Sequence, residues 1–307
     1  MVVDTHLGIG NTVDFSPCYD VHMYDYSREN ARHQLGRCRS LRVYSKMLYI
    51  SVSFLGFLSS HVSMLLSTME GVNQIYQYSI ISSLAQGICA DGLPVFQALR
   101  YGDHGLGTLA GLDGEVIIID GQAFQYTSTG GVRALEESDI TAFLMVTFFE
   151  PSKAVTLPYL THETLMREMA RLYPSTTNHF FAIRVDAVFP HITYRVAPRQ
   201  NHHRETLAEV VHRQSVRSFK EQQGTIFGFY SPAFTEAFSV VGLHLHFMSE
   251  DRKAGGHVLG FQARDVSLSG AVITKYHVEL PETEDFNSEV IVEPDKGMIR
   301  SAEGLDQ

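Results

Sequence analysis

The sequence is poor in cysteine and in basic residues. Its three cysteines, Cys18, Cys38 and Cys89, are widely spaced and form no Cys-x-x-Cys motif. The sequence therefore indicates neither a disulfide framework nor a thiolate metal site, and it favours a reducing compartment. Lysine and arginine number 24 against 34 acidic residues, which gives a net charge of −10. This balance argues against a nucleic-acid partner and favours a small molecule as the ligand.

Internal repeats and low-complexity tracts are also missing. No period of about 20 to 50 residues recurs, which argues against a solenoid or a propeller. The chain has 307 residues, of which 44% are hydrophobic. A soluble chain of this length and composition can bury a sizeable core, as one large domain or as two subdomains.

Residues 1–72 carry little that predicts function. A basic stretch precedes the run Met47–Thr68, which contains no Asp, Glu, Lys or Arg. Its length allows a membrane anchor or a signal sequence, but its six serines dilute the apolar residues and favour an extension outside the functional fold. Met69 is then a plausible start of a shorter chain. We expect a cytoplasmic protein without membrane attachment, with anchoring or secretion through residues 47–68 as the alternative.

The segment after Asn73 predicts helices and then a loop. Apolar residues recur at helical spacing and predict a helix that ends before Pro94: Ile75, Tyr78, Ile81, Leu84 and Ile88. A second short helix is predicted over residues 95–100. The glycine-dense stretch Tyr101–Thr108 predicts a loop, which lacks the lysine and the following helix of a nucleotide-binding loop.

Most of the remaining chain predicts β-strands. Asp120-Gly121 is typical of a hairpin turn between strands at 115–120 and 122–127, and a buried strand is predicted over residues 143–149. Thr161 can cap a helix that ends at Leu172. We therefore expect an α+β fold with mixed and antiparallel β-sheets and few helices.

The second half of the chain predicts a short helix at 205–212 and several strands. Pro190 predicts a break between strands at 180–188 and 191–196. Further strands are predicted to form an antiparallel meander, at about residues 225–230, 238–248, 257–268 and 271–279.

The most informative stretch is Gly242–Phe261. Side chains alternate along a strand, so His244 and His246 point to the same face. The polar run 249–256 predicts a hairpin loop, which places His257 opposite His246, with Cβ atoms about 4.5–5.5 Å apart. Three histidines with an open fourth position are typical of a catalytic zinc site on a β-hairpin. The alternative is a polar strand face whose histidines are satisfied by hydrogen bonds.

Several stretches resemble the alpha-acetolactate decarboxylase family in residues, order and spacing. They are residues 75–79 (IYQYS), 102–108 (GDHGLGT), 112–115 (LDGE), 195–200 (RVAPRQ) and the histidine hairpin, whose Gly-x-His-x-His and Gly-Gly-His are the most specific. The resemblance covers about residues 73–303. It implies a decarboxylase-like domain over residues 73–307, made of two β-rich subdomains, after an N-terminal extension over residues 1–72.

The resemblance also implies a reaction and its residues. In that family a zinc ion held by three histidines catalyses loss of CO2 from 2-acetolactate to give acetoin. Carried over by motif, the zinc ligands are His244, His246 and His257, the catalytic residues are Glu115, Arg195 and Glu303, and the substrate-binding residues are Thr108 and Arg195. His104 stands where many relatives have an aromatic residue. It is either a local polar substitution, which we favour, or an additional site group.

The chemistry of the reaction explains this set. Loss of CO2 leaves electrons that flow into the neighbouring ketone, and a zinc ion stabilises the charge that develops on oxygen. A positioned acid must then add a proton on one face, for which Glu115 and Glu303 are the candidates. The planar guanidinium of Arg195 suits a pair of substrate oxygens. Thr108 either donates a hydrogen bond in the pocket or is a turn residue.

Two other interpretations stay open. The spacing His244-x-His246-x-x-x-Glu250 also resembles the first metal motif of cupins, in which Glu250 would be a ligand, although no second cupin motif follows. A metal-binding protein without catalysis is the other interpretation, and such a protein would not need Glu115, Arg195 and Glu303. The sequence does not determine the oligomeric state, for which we consider a homodimer.

Overall fold

The computed structural model describes residues 71–293, which form two β-sheets with short helices. The run Met47–Thr68 and the predicted site residue Glu303 lie outside the described residues. None of the helices between residues 71 and 293 has the length and apolar character needed to cross a membrane.

The elements of the described residues follow one another in this order: β1 (Ile75–Tyr78), α1 (Ile81–Ala85), β2 (Leu93–Pro94), α2 (Val95–Ala98), a 3-10 turn (Leu99–Tyr101), β3 (His104–Leu109), β4 (Glu115–Ile119), β5 (Gln122–Tyr126), β6 (Val132–Ala134), β7 (Ile140–Thr147), β8 (Lys153–Thr161), α3 (His162–Leu172), β9 (Phe180–Val196), α4 (Leu207–Val211), β10 (Ser215–Phe219), β11 (Gln222–Ser231), a 3-10 turn (Ala233–Thr235), β12 (Gly242–Ser249), β13 (Gly255–Ile273), β14 (Tyr276–Glu279) and α5 (Glu284–Asn287).

The first sheet is mixed and the second is antiparallel. In the first, the strand order is β14-β1-β7-β3-β4-β5-β6, β2 also pairs with β7, and β1 and β14 run parallel. In the second, the order is β10-β9-β11-β12-β13-β8, and a further pairing of β9 with β13 closes four strands into a ring. The predicted α+β fold with mixed and antiparallel sheets and few helices is confirmed.

The largest hydrophobic cluster lies between the two sheets. Leu106 and Ile117 from the first sheet join Phe227 and Phe229 from the second, and all four side chains are buried. Local signals position the connecting helices, since Thr161 caps α3 through its side chain as predicted, and Thr206 caps α4 in the same way. The first residue of β4 and the histidines of the second sheet face the gap between the sheets.

The glycine-dense stretch predicted as a loop is strand β3, so that prediction was wrong. A Cβ atom on Gly105 would lie 2.3 Å from the Met145 carbonyl oxygen, and one on Gly107 would lie 2.1 Å from that of Phe143. Real Cβ atoms do not approach other atoms so closely. The glycines therefore allow β3 and β7 to approach each other, and they do not mark a flexible turn.

The helix predicted from Ile75 onward was wrong in its first part, because residues 75–78 form strand β1. All four residues of β1 are buried, with β7 on one side and β14 on the other. A strand that is covered on both faces has no alternation of apolar and polar residues, so its apolar positions can imitate helical spacing. The helix α1 begins only at Ile81, after Ser79 with its positive φ of 67°.

Two further strand predictions need correction. Pro190 does not break the chain, since β9 runs without interruption from Phe180 to Val196. The position of Pro190, which has no backbone N–H, lies beside a register irregularity between Gln262 and Arg264 of β13, where regular ladder pairing is interrupted. The last predicted strand of the meander, at residues 271–279, is divided: residues 271–273 end β13, and residues 276–279 form β14, which pairs with β1 in the first sheet.

The close approach of β3 and β7 predicts that Gly105→Ala lowers the free energy of unfolding by about 1–3 kcal/mol, because the added methyl group forces the two strands apart. Gly260→Ala is the matched control, since a Cβ atom there would meet nothing within 4 Å. Urea unfolding of both variants measures the difference. Equal losses would mean that crowding against β7 does not explain the glycine.

Candidate metal centre and active site

The hairpin of β12 and β13 carries the three predicted histidines in the predicted register. His246 pairs directly with His257, and Phe247 pairs with Gly256. The loop is closed by the Ser249 N–H, which donates to the Ala254 carbonyl. The alternation of side chains then places His244 on the same face as His246.

The three imidazole rings converge in the interior. Their centroids lie 5.1–5.5 Å apart, and the residues are at most 7% exposed. One ring nitrogen from each of His244, His246 and His257 lies within 4.8 Å of the others. At this spacing one metal ion can be shared by three imidazoles.

A backbone group of the neighbouring sheet orients His246. Its Nδ1 lies 3.0 Å from the carbonyl oxygen of Val116 in β4. Because a carbonyl oxygen only accepts, Nδ1 carries the proton and Nε2 keeps its lone pair. Within residues 71–293, Nε2 is buried without a hydrogen-bond partner. A buried nitrogen with a lone pair directed at two other histidines fits a bound metal.

The surroundings keep His244 and His246 neutral. Burial, together with the neighbouring His246 and Arg195, holds the pKa of His244 well below its usual value. Burial also lowers the pKa of His246 to about 3, against the opposing effect of the Val116 carbonyl. Neutral imidazole is the form that binds a metal, so the pair is ready for coordination at neutral pH.

Glu115 and Arg195 form a buried ion pair beside the histidines. Arg195 Nη1 donates to Glu115 Oε1 at 3.2 Å, and the Ala197 N–H donates to the same oxygen at 3.1 Å. The other oxygen, Oε2, lies 3.5 Å from His246 Nε2. Glu115 is the first residue of β4, and Arg195 on β9 pairs with His257 on β13, so the two sheets meet at this point.

Burial dominates the electrostatics of the Glu115 carboxyl group. It raises the pKa of Glu115 above its usual value, although Arg195 and the Ala197 N–H act in the opposite direction. Burial therefore favours the protonated form of the carboxyl group, whereas the contacts with Arg195 and the Ala197 N–H favour the charged form. Perturbed carboxyl groups of this kind are frequent in active sites.

These groups line one cavity. Its polar side consists of the three histidines with Glu115, Arg195 and Thr108. The apolar lining comes from α1, α4, β7 and the turns after β3 and β9: Ile81, Leu84, Leu112, Phe143, Ala197 and Leu207. A few convergent polar groups against an apolar wall are typical of a small-molecule site.

Thr108 lines the cavity, but its hydroxyl proton is engaged. Thr108 Oγ1 donates to the Gly114 carbonyl at 2.7 Å, in the turn that leads into Glu115. The hydroxyl oxygen therefore remains available to the cavity as an acceptor. The residue supports the turn as well as lining the site.

His104 lies away from the residues that line the cavity. It is buried between Phe149 and Phe227, with Nδ1 2.8 Å from Asp103 Oδ1 and Nε2 3.0 Å from Arg184 Nη1. These contacts fit the favoured interpretation of His104 as a polar substitution within the core.

Glu250 does not join the histidines. It is exposed in the hairpin loop and accepts a hydrogen bond from Gln223 Nε2. The ligand-capable cluster consists of His244, His246 and His257. This arrangement does not fit the cupin interpretation, in which Glu250 would be a ligand.

Sequence reasoning missed the backbone groups and the apolar wall of the site. The Val116 carbonyl and the Ala197 N–H are backbone atoms, and residue type does not reveal which of them face a site. Ile81, Leu84 and Leu207 had been recognised only as apolar residues or as parts of predicted helices. The motif Arg195-Val-Ala197-Pro was the one local signal near the Ala197 N–H.

Comparisons with known proteins agree with this site. The family model for alpha-acetolactate decarboxylase matches residues 75–293. The alpha-acetolactate decarboxylase of Brevibacillus brevis is 35% identical over 75% of this chain and 81% of its own length. That of Bacillus subtilis is 33% identical over 74% of this chain and 89% of its own.

Solved structures give the same result. The crystal structure of alpha-acetolactate decarboxylase from Bacillus subtilis strain 168 has a TM-score of 0.71 and 32% identity, and the match covers 75% of this chain and 99% of that one. A Staphylococcus aureus protein of unknown function, described as similar to alpha-acetolactate decarboxylase, has a TM-score of 0.72 and 27% identity, with 75% and 100% covered. The chain therefore belongs to the alpha-acetolactate decarboxylase family.

Proposed function

We propose that zinc, held by His244, His246 and His257, is the metal with which this carboxy-lyase converts 2-acetolactate to acetoin and CO2. The observation that carries the proposal is the convergence of three buried imidazoles beside the Glu115–Arg195 pair. A protein that merely bound a metal would not need a buried carboxylate and guanidinium at the same place.

The donor set and the reaction together favour zinc. Three imidazoles suit several divalent transition metals. The decarboxylation involves no net oxidation or reduction, so a redox-active metal offers no advantage, and catalytic zinc sites commonly keep three protein ligands and one open position. When bound, the zinc acts as a Lewis acid for the negative charge that develops on the substrate oxygens.

Arg195 binds and orients the substrate. Its guanidinium is buried and lies beside the metal ligand His257 in the strand register. A planar guanidinium can hold a carboxylate through two parallel hydrogen bonds, and this interaction is strong where water is excluded. We assign the carboxylate of 2-acetolactate to Arg195, while Thr108 Oγ1 faces the same cavity as an acceptor.

Glu115 and Glu303 handle the proton. When CO2 leaves, the electron pair of the broken carbon–carbon bond stays with the substrate, and the product acetoin forms by taking up one proton. Glu115 Oε2 is the carboxylate oxygen not engaged by Arg195 and Ala197, and it faces the histidines. We assign it the stabilisation of the proton on the substrate hydroxyl, and we assign Glu303 the delivery of a proton to carbon.

Glu303 lies ten positions after Glu293, the last described residue. An extended chain of this length spans up to about 35 Å.

The apolar wall of Ile81, Leu84 and Leu207 receives the methyl groups of the substrate and keeps water from the reacting carbon.

The histidine cluster predicts that His246→Ala loses zinc and activity together, because the remaining two histidines cannot hold the ion firmly. Glu250→Ala is the matched control and should keep both, since Glu250 is exposed in the same hairpin. Racemic acetolactate is supplied to each purified protein, and acetoin is measured in the presence of a chelator and again after zinc is restored. The bound metal is quantified in each protein. Loss of the metal from Glu250→Ala, with retention in His257→Ala, would instead indicate a cupin-type site.

The assignment of Glu303 predicts that removal of residues from Ser301 onward lowers turnover by about 10²–10⁴-fold, the usual cost of losing a general acid or base, while zinc stays bound. Glu303→Gln should reproduce most of the loss and erode the handedness of acetoin, because protonation is no longer confined to one face. Glu293→Gln is the control, as an exposed residue of the same segment. Unchanged turnover and chirality in the truncated enzyme would leave Glu115 as the proton carrier.

A further prediction concerns removal of the N-terminal residues 1–68. We propose that the functional domain begins near residue 73, since the family match begins at Ile75. A chain that starts at Met69 should therefore fold, stay in solution and keep the turnover of the full chain. Circular dichroism, sedimentation and the acetoin assay check this expectation. An inactive or insoluble truncated chain would show that residues 1–68 belong to the fold.

A further inference from the structure

The two glycines that precede the metal ligand His257 lie between two tyrosine rings. A Cβ atom on Gly255 would lie 2.8 Å from Tyr126 Cζ, and one on Gly256 would lie 2.7 Å from Tyr194 Cδ2. Real Cβ atoms do not approach other atoms so closely. Because side chains alternate along a strand, the two rings pack on opposite faces of β13. The Gly-Gly-His sequence therefore allows a tyrosine on each side to contact the strand just before its metal ligand.

One of these tyrosines, Tyr126, connects the first sheet to the hairpin of β12 and β13. It is the last residue of β5 and pairs directly with Glu115 of β4, so the two side chains share one face of the first sheet. Its hydroxyl group donates to the Arg252 carbonyl in the hairpin loop at 3.1 Å. Burial raises the pKa of the Tyr126 hydroxyl group, against the opposing effect of Arg252, so the group keeps its proton and remains a donor.

The loop that receives this hydrogen bond is held together by its own contacts. The Arg252 N–H donates to the Ser249 carbonyl at 2.8 Å. Ser249 Oγ donates to Asp251 Oδ1 at 2.7 Å and accepts from the Ala254 N–H at 3.0 Å. The Arg252 guanidinium also lies 5.3 Å from the ring centroid of Phe124, another residue of β5. Because the loop is bonded internally, a restraint at Arg252 acts on the strands at both of its ends.

We infer that Tyr126 is a positioning residue for the metal centre, which fixes the hairpin of β12 and β13 against β4. The three histidines share this hairpin, but two groups that contact His246 belong to β4: the Val116 carbonyl at 3.0 Å and Glu115 Oε2 at 3.5 Å. Both distances depend on the place of the hairpin relative to β4. Tyr126 is not among the described residues that line the cavity, so it acts through the hairpin and not on the substrate. This inference rests on the proposed zinc site.

The test compares Tyr126→Phe with Tyr173→Phe in the full chain. Tyr173 is the matched control, because it is also buried and its hydroxyl group also donates to a backbone carbonyl of β13, that of Gly270 near the other end of the strand. Competition with a chromophoric chelator measures the zinc affinity of each protein. Tyr126→Phe should bind zinc about tenfold more weakly, the order of loss caused by removing a support of a metal ligand. Tyr173→Phe should bind it within about twofold of the unchanged chain.

The control also separates positioning from general stability. Each variant removes one buried hydroxyl group and leaves the ring, so both should lose similar stability in urea unfolding of the metal-free protein. A difference in zinc affinity between them then reports the placement of the hairpin. With zinc saturating, kcat of Tyr126→Phe should fall about tenfold while KM stays within about twofold, because the substrate contacts remain. An unchanged zinc affinity in Tyr126→Phe, or an equal loss in Tyr173→Phe, would overturn the inference.

Failure of the proposed zinc site is recognised separately. In that case His246→Ala keeps the zinc affinity of the unchanged chain while Tyr126 is intact. Amide exchange over residues 249–256 of the metal-free protein then decides the role of Tyr126 by itself. Exchange that is about tenfold faster in Tyr126→Phe, against an unchanged Tyr173→Phe, would support Tyr126 as the residue that fixes the hairpin. Equal exchange in the two variants would reject it.

Discussion

The buried pair of Glu115 and Arg195 ties the active site to the docking of the two sheets. A carboxylate buried without compensation costs several kcal/mol, so Glu115 depends on the hydrogen bonds that it accepts. These come from Arg195 and the Ala197 N–H, which belong to the end of β9 and the residue after it, whereas Glu115 begins β4 in the other sheet. The charge is compensated only when the sheets are packed together, so the same contact assembles the core and places a carboxylate beside the histidines.

The next residue of β4 extends this dependence to the metal centre. The carbonyl of Val116 fixes the tautomer and the orientation of His246, which belongs to the second sheet. Because the acceptor is a backbone atom, a substitution of the Val116 side chain leaves it in place. The ion pair and the orientation of His246 therefore both depend on β4, and a shift of this strand would disturb both. The close approach of β3 to β7, which Gly105 and Gly107 allow, restrains the sheet that carries β4.

The parts of the site that could be predicted from the residues are the local ones. His244, His246 and His257 lie within one hairpin, so strand alternation and the loop length determined their arrangement. Glu115 and Arg195 are 80 residues apart. Without the family resemblance, Glu115 is interpreted as a strand-end residue and Arg195 as a member of a surface ion pair. The apolar residues of strand β1 have helical spacing because both faces of the strand are buried. The glycines of β3 resemble those of a loop, but they allow the close approach of a neighbouring strand. In both cases tertiary contacts decided against the local pattern.

The contacts of Glu115 are the reason why we propose a second carboxylate for the reaction. One oxygen of Glu115 is held by two donors, and protonation of the group would leave the buried Arg195 with less compensation. A residue in this position suits the stabilisation of a proton nearby better than its donation in each turnover. A donor outside the buried pair avoids that cost. We propose that Glu303 fills this role.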